Sequence, residues 1–456
     1  MGLTELNANR FDRAAANFSE FLASQRRDAP GVDRATYLLA YTSHRHGRHD
    51  ESLEQCREFR AHHANSRFLS DVIRLEAENH FATANYPSAV EAYKSWLIQV
   101  ETDESQRQTV ARVHMRIAQA MYLAERYAEA SEHLESNAPP RATTDPLLLS
   151  YDYYRGDCNY QLQRYLPAAR RFKSYIKRVR ANRNQLELQP DEREVLQSRM
   201  RDARFKLGHS LQLAGKNGAA RTAYARALKA DPKTPYRDQL YFELGQVAYK
   251  ERKLTIAGKS FRRLLKKHPR SEFAPQARFY LGVVESESGD FNRAADHFSE
   301  LVRRHPDHRL ASEGEYRLAI ALKSAGKLEE ASEVLRQFRS KYPNDERLGL
   351  VRLEEAVAIS KSGDPEKALY LLSKLRESPS AADYMARILY ETAWCYRALG
   401  TPEKAVESYT EILDTPEIVA TAPPATDTAE SSTAVTPGFP SGTNAVSYTH
   451  LRAHET

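Results

Sequence analysis

The chain of 456 residues contains few groups placed as chemistry would place them. Gly258-Lys259-Ser260 has the ending of a phosphate-binding loop. That loop also needs a preceding strand and a glycine five residues before Gly258, where Lys253 stands. The tripeptide falls within a helical pattern, so its backbone N–H groups are not free to cradle a phosphate. His44, His46 and His49 could offer imidazoles to a metal. They lack helical i, i+4 spacing and any cysteine or carboxylate that would complete a site, and they read as solvated turn residues. Cys56, Cys158 and Cys395 lie too far apart in sequence for a disulfide framework or a cysteine-rich zinc module, and read as small packing residues. No nucleophile–base pair can be assembled either. The expectation is a chain with no catalytic residues, no cofactor and no metal.

Charge narrows the partners. The 67 basic and 61 acidic residues leave +6 over a long chain, too weak a bias to imply nucleic acid, which is an unlikely partner on this ground. The basic residues do cluster twice. Arg170, Arg171, Lys173, Lys177, Arg178, Arg180 and Arg183 form one run without an acid, and Arg262, Arg263, Lys266, Lys267 and His268 a second. A solvated outer face is the simple reading; an acidic partner, anionic lipid or RNA is the functional one. No transmembrane segment is present in the chain, because no stretch reaches the ~18 uninterrupted apolar residues that a span requires.

What must position all of this is a repeat. Ala220, Ala257, Ala294, Ala331, Ala368 and Ala405 recur at one fixed spacing, and their neighbours recur with them. One copy reads Leu281-Gly282, Gly289, Phe291, Ala294, Phe298, Leu301 and Pro306; the next reads Leu318-Ala319, Gly326, Leu328, Ala331, Leu335, Phe338 and Pro343. Weaker copies centre on Ala14, Ser52, Ala89, Ala130 and Ala168. The long step from Ala168 to Ala220 holds an insertion near 177–200, expected to be helical on both sides of Pro190. The apolar spacing is that of two helices per copy, and one such unit cannot bury its apolar face alone.

These residues resemble the tetratricopeptide repeat, a helix–turn–helix unit with small residues at positions 8 and 20. With the recurring alanine as position 20, Gly282 is at 8, Phe298 at 24 and Pro306 at 32, as in that family. The resemblance implies an all-α fold, an α-α superhelical solenoid of stacked helix–turn–helix repeats. About eleven copies would fill residues 1–413, with Gly215, Gly289, Gly326, Gly363 and Gly400 ending helix A in the left-handed turn. The aromatic at position 5, the Leu-Gly at 7–8 and the closing His-Pro or Tyr-Pro are most similar to bacterial envelope members, such as those of outer-membrane β-barrel assembly and Tol–Pal coordination. That favours the periplasm or cell envelope, with the cytoplasm left open.

Within the family, positions 2, 5, 9 and 12 of helix A line a concave groove. The resemblance therefore points to Tyr37, Tyr153, Phe205, Phe242, Phe279, Tyr316 and Tyr390 at position 5, and Trp394 at position 9, as a candidate peptide groove. The competing reading is that these rings pack against the neighbouring helix A. Position 9 carries no asparagine in any copy (Tyr41, Glu78, Gln119, Asp157, His209, Gln246, Val283, Ile320, Val357 and Trp394), which argues against the carboxylate clamp of chaperone-binding members.

The ends depart from the pattern. Met1 falls at position 7 of the first copy, so half of helix A is missing and Met1 reads as an internal methionine. Residues 414–445 are rich in Thr, Ala and Pro and are expected to be a disordered linker. Residues 446–456 (VSYTHLRAHET) resemble a translated sequencing adapter, whose codons give Ser447 through Thr456 in order. The expected function is a non-catalytic protein–protein interaction scaffold whose groove takes protein or peptide partners. The alternatives are the docking or regulatory half of a larger, truncated enzyme, or an RNA- or anionic-surface binder.

Overall fold

The computed structural model describes residues 1–100, 103–140 and 143–414. Asp414 closes the last helix, and the linker and adapter-like expectations for 415–456 lie outside the described residues. Helices alternate with tight turns, and no strand occurs among the described residues. The described residues divide into two units, Met1–Ala227 and Leu228–Asp414.

The first unit holds α1 (Gly2–Asn7), α2 (Phe11–Ser24), α3 (Val32–Arg45), α4 (His49–His62), α5 (Leu69–Ala82), α6 (Tyr86–Val100), α7 (Arg107–Leu123), α8 (Tyr127–Ser136), the short α9 (Pro146–Leu149), α10 (Tyr151–Gln161), α11 (Tyr165–Asn182) and α12 (Pro190–Leu213). The dividing line falls within α13 (Asn217–Ala230). The second unit continues with α14 (Arg237–Lys250), α15 (Leu254–Lys267), α16 (Ala274–Glu287), α17 (Phe291–Arg304), α18 (Ala311–Ser324), α19 (Leu328–Lys341), α20 (Leu348–Lys361), α21 (Pro365–Arg376), α22 (Met385–Ala398) and α23 (Pro402–Asp414). Each unit is an α-α solenoid of consecutive helix pairs. Pro190 opens α12 at its first turn, where a missing N–H is harmless, and Gln189 and Glu192 cap that end.

The two helices of a pair bury themselves differently. In α16, the first helix of its pair, residues Ala277 through Glu285 are all buried, because it lies between its own partner and its neighbours. In α17, the second helix, only Ala294, Ala295, Phe298 and Leu301 are buried, a single stripe at helical spacing. Burying Phe298 and Leu301 is worth ~1.5–3 kcal/mol each against leaving them in water.

Position 8 and position 24 meet inside each pair. A Cβ on Gly282 would stand 2.7 Å from the Phe298 ring, one on Gly156 2.9 Å from Phe172, and one on Gly2 2.7 Å from Phe18. Gly208 and Gly245 are pressed as closely by Tyr224 and Phe261. Where position 8 is alanine, the facing residue is usually smaller, as in Ala40–Cys56, Ala118–Leu134, Ala319–Leu335 and Ala356–Leu372.

The turn between the helices closes in one way throughout. Position 15 is left-handed in every pair, at Asn9, Gly47, Ala84, Glu125, Gln163, Gly215, Arg252, Gly289, Gly326, Gly363 and Gly400. Its N–H and the next one return to carbonyls of the last helical turn, as Gly289 N to Ser286 O (3.0 Å) and Asp290 N to Glu285 O (2.9 Å). Five pairs hold this conformation without glycine. In those, positions 12 and 17 are both apolar or aromatic: Leu6 and Phe11, Phe81 and Tyr86, Tyr122 and Tyr127, Tyr160 and Tyr165, Tyr249 and Leu254. Phe81–Tyr86, Tyr122–Tyr127 and Tyr160–Tyr165 meet edge to face at 5.5–6.1 Å, and such contacts offset part of the left-handed cost.

Candidate binding surface

The rings at position 5 sit on the first helix of each pair, and their exposure varies along the chain. Phe205 and Phe279 are 1% exposed, and Tyr153 and Phe242 are also buried. Phe279 is enclosed by Tyr280 and Phe298, with the Arg317 guanidinium over its face at 5.6 Å. Phe242 stacks on Phe273 at 5.2 Å. These four offer no face to a ligand: Phe205 packs on Tyr224 and Phe279 on Phe298 within their own pairs, and Phe242 reaches Tyr280 of the next first helix. Tyr37 and Tyr316 are half-buried. Burial pushes the Tyr37 hydroxyl up to about 12 and raises that of Tyr316 further.

Tyr390 and Trp394 differ. They are 41% and 45% exposed, on the same face of α22, with ring centroids 6.4 Å apart. Arg397 lies over Trp394 at 4.6 Å, and Tyr409 of α23 flanks Tyr390 at 6.1 Å. Arg387, one turn earlier, is held by the buried Glu354 carboxylate at 2.8 Å. The Glu354 carboxyl loses solvation on burial, but Lys323 and Arg387 hold it below its ordinary range. The exposed ring pair is therefore flanked by one guanidinium, that of Arg397.

A feature that sequence reading missed lies on the first helices of α7, α10 and α12. Lys206 is buried with its ammonium 2.6 Å from Asp157 and 3.1 Å from Asp202. Tyr122 donates to Asp157 at 2.5 Å and Tyr153 donates to Asp202 at 2.9 Å. Burial works against the Lys206 charge, yet the two carboxylates outweigh it and raise its pKa; burial pushes the Asp202 carboxyl up. Asp202 and Lys206 stand at i, i+4 on α12, a visible signal, but Asp157 comes from a different pair. The arrangement is an internal ion cluster rather than an open site.

The other candidates resolve individually. Gly258 and Ser260 are buried within α15, where the Ser260 hydroxyl donates to Ile256 O, so no phosphate loop forms. The turn histidines are not simply solvated: His44 and His49 both reach the side-chain amide oxygen Oδ1 of Asn79, at 2.8 and 3.0 Å, and burial lowers the pKa of His44. The loop from position 12 to 17 folds back and brings both rings onto the next first helix. All three cysteines are buried, and burial raises each thiol, Cys56 to about 12. No group of three or more potential metal ligands occurs among the described residues, and no described helix is long and apolar enough to cross a membrane.

Comparison with known proteins follows the same repeat. Models described as Tetratricopeptide repeat match residues 1–66, 205–272, 242–309, 285–352 and 387–416, together more than half of the chain. No curated protein matches it in sequence. Similar solved structures include the C-terminal part of a repeat-containing protein from Cytophaga hutchinsonii, 17% identical with a TM-score of 0.42, covering 59% of this chain and 98% of that one. MamA from Desulfovibrio magneticus RS-1 is 17% identical with a TM-score of 0.34, covering 39% of this chain and 94% of that one. YrrB, described as having an unusual peptide-binding site, is 18% identical with a TM-score of 0.34, covering 42% and 91%. With small residues at 8 and 20, the left-handed turn at 15 and these matched segments, the chain belongs to the tetratricopeptide repeat family.

Proposed function

We propose that this chain is a non-catalytic scaffold that binds protein or peptide partners on the face of its first helices. Tyr390 and Trp394 are the principal anchors, and the half-buried edge of Tyr316, in the same unit, is a secondary one. The supporting observation is the exposure of Tyr390 and Trp394, neighbouring rings on one face of α22, where Tyr153, Phe205, Phe242 and Phe279 at the repeat position of Tyr390 are buried. Aromatic anchors contribute large contact area at low rotamer cost, and a few of them usually dominate an interface. The Arg397 guanidinium beside Trp394 suits a partner that carries a carboxylate next to an apolar side chain.

Peptides selected for binding to the full chain provide the test. Trp394→Ala and Tyr390→Ala should each weaken a selected peptide by ~1–3 kcal/mol with little change in the denaturation midpoint. Phe279→Ala should do the reverse, costing ~3–5 kcal/mol of stability while the folded protein keeps its affinity. Selected peptides that bind the Trp394→Ala and Tyr390→Ala variants as tightly as the parent would refute this surface.

A further inference from the structure

The basic run on α11 is divided by the fold. Asp152, buried at the start of α10, accepts from Ser174 at 2.7 Å and faces Arg178 at 3.0 Å and Arg171 at 3.5 Å. Those two arginines are drawn inward. Arg170, Lys173, Lys177, Arg180 and Arg183 remain exposed, and no ion pair joins any of them to an acid among the described residues. No acid occurs between Asp157 and Glu187. Exposed bases on several other outer helices differ: Arg57 pairs with Glu54, Lys94 with Glu91, Arg303 and Arg304 with Glu300, and Arg336 with Glu333, each on its own helix, while on α15 Arg262 pairs with Glu285 of the next first helix and Arg263, Lys266 and Lys267 stay exposed. Arg170, Lys173, Lys177 and Arg180 instead stand at successive i, i+3 and i, i+4 steps as mutually repelling neighbours.

We infer that this face of α11 docks an extended, Asp/Glu-rich peptide segment. The four cations form one line, about 15 Å long, with steps of about 4.5 and 6 Å along the helix axis. Alternate side chains of an extended peptide recur about every 6.6 Å, within reach of flexible lysine and arginine stems. The stripe is one helix wide. On α8, the preceding outer helix of the same unit, Glu129, Glu132 and Glu135 are exposed, with Glu129 and Glu135 paired to Arg126 and Arg155, so that helix does not extend the cationic face into the broad plane that a lipid surface would need. The aromatic residues of α11 do not line the stripe: Phe172 and Tyr175 are buried and Tyr165 packs on Tyr160, which leaves no stacking platform for bases.

Fluorescence anisotropy of the full chain with a short labelled oligoglutamate tests this. Lys173→Glu/Lys177→Glu should weaken binding more than about tenfold, and Lys173→Gln/Lys177→Gln by a smaller factor, with unchanged circular dichroism. A matched charge change on α17, Arg303→Glu/Arg304→Glu, where both bases are already paired with Glu300, should alter affinity less than about twofold. Raising salt should weaken binding as it screens the exposed charges. Equal losses in the α11 and α17 variants would reduce the effect to net charge and overturn the inference. So would tighter binding of an oligouridylate or of phosphatidylserine vesicles than of the oligoglutamate.

Discussion

Replacing Gly282 by alanine probes the contact that sets the spacing within a helix pair. The new Cβ would lie 2.7, 2.8 and 3.0 Å from three atoms of the Phe298 ring, where carbon atoms prefer ~3.5–4.0 Å. The ring would have to retreat by about 1 Å. It cannot do so freely: Phe298 is 1% exposed and packs against Phe279 at 5.9 Å. Overpacking of this kind costs ~1–3 kcal/mol, and the better helix propensity of alanine returns ~0.5–1 kcal/mol. The net expectation is a loss of ~0.5–2 kcal/mol. Phe298→Leu on the same background should relieve it, because Ala319–Leu335 and Ala356–Leu372 already use that pairing. The measurement is urea denaturation of the two single variants and the double variant, with hydrogen exchange of α16 and α17 as a local readout, since a repeat array need not unfold in one step. The double variant should be more stable than the sum of the singles by ~1 kcal/mol or more, as expected for residues in contact. A neutral or stabilising Gly282→Ala, or strictly additive singles, would refute the close-approach argument.

The left-handed turn makes a second prediction. Ala84→Gly and Arg252→Gly should each stabilise by about 1 kcal/mol, while Gly289→Ala should destabilise by a similar amount, read as shifts in the denaturation midpoint. A third concerns acid. Burial lowers the pKa of His209 and of His133 to about 4, and His209 accepts no compensating charge beside the Tyr160 hydroxyl at 2.6 Å. Between pH ~6.5 and ~4 the unfolded chain binds protons that the native state refuses, so stability should fall as pH drops through that window. His209→Gln should flatten that part of the pH–stability curve; an unchanged slope would mean that the ring is not kept neutral by burial.

The sequence by itself determined the repeat and the contacts inside one pair. Small residues at 8 and 20, an aromatic or aliphatic at 24 and a turn at 15 are local requirements, and each recurs at a spacing that helical geometry alone imposes. Even the turns without glycine carry their explanation nearby, in the apolar residues at 12 and 17. The fate of the position-5 rings was not legible in the same way. Phe279 and Tyr390 occupy the same place in their repeats, but whether a ring is core or surface depends on what the next pair lays over it. The basic run had the same limit. Only the packing of α10 against α11 brings Asp152 to Arg171 and Arg178 and leaves the other five cations facing water. Lys206 likewise finds Asp157 across a separation of 49 residues, through the irregular step where the period fails. Periodicity specifies neighbours along one helix pair; burial and charge pairing are properties of the space between pairs, which only the tertiary structure decides.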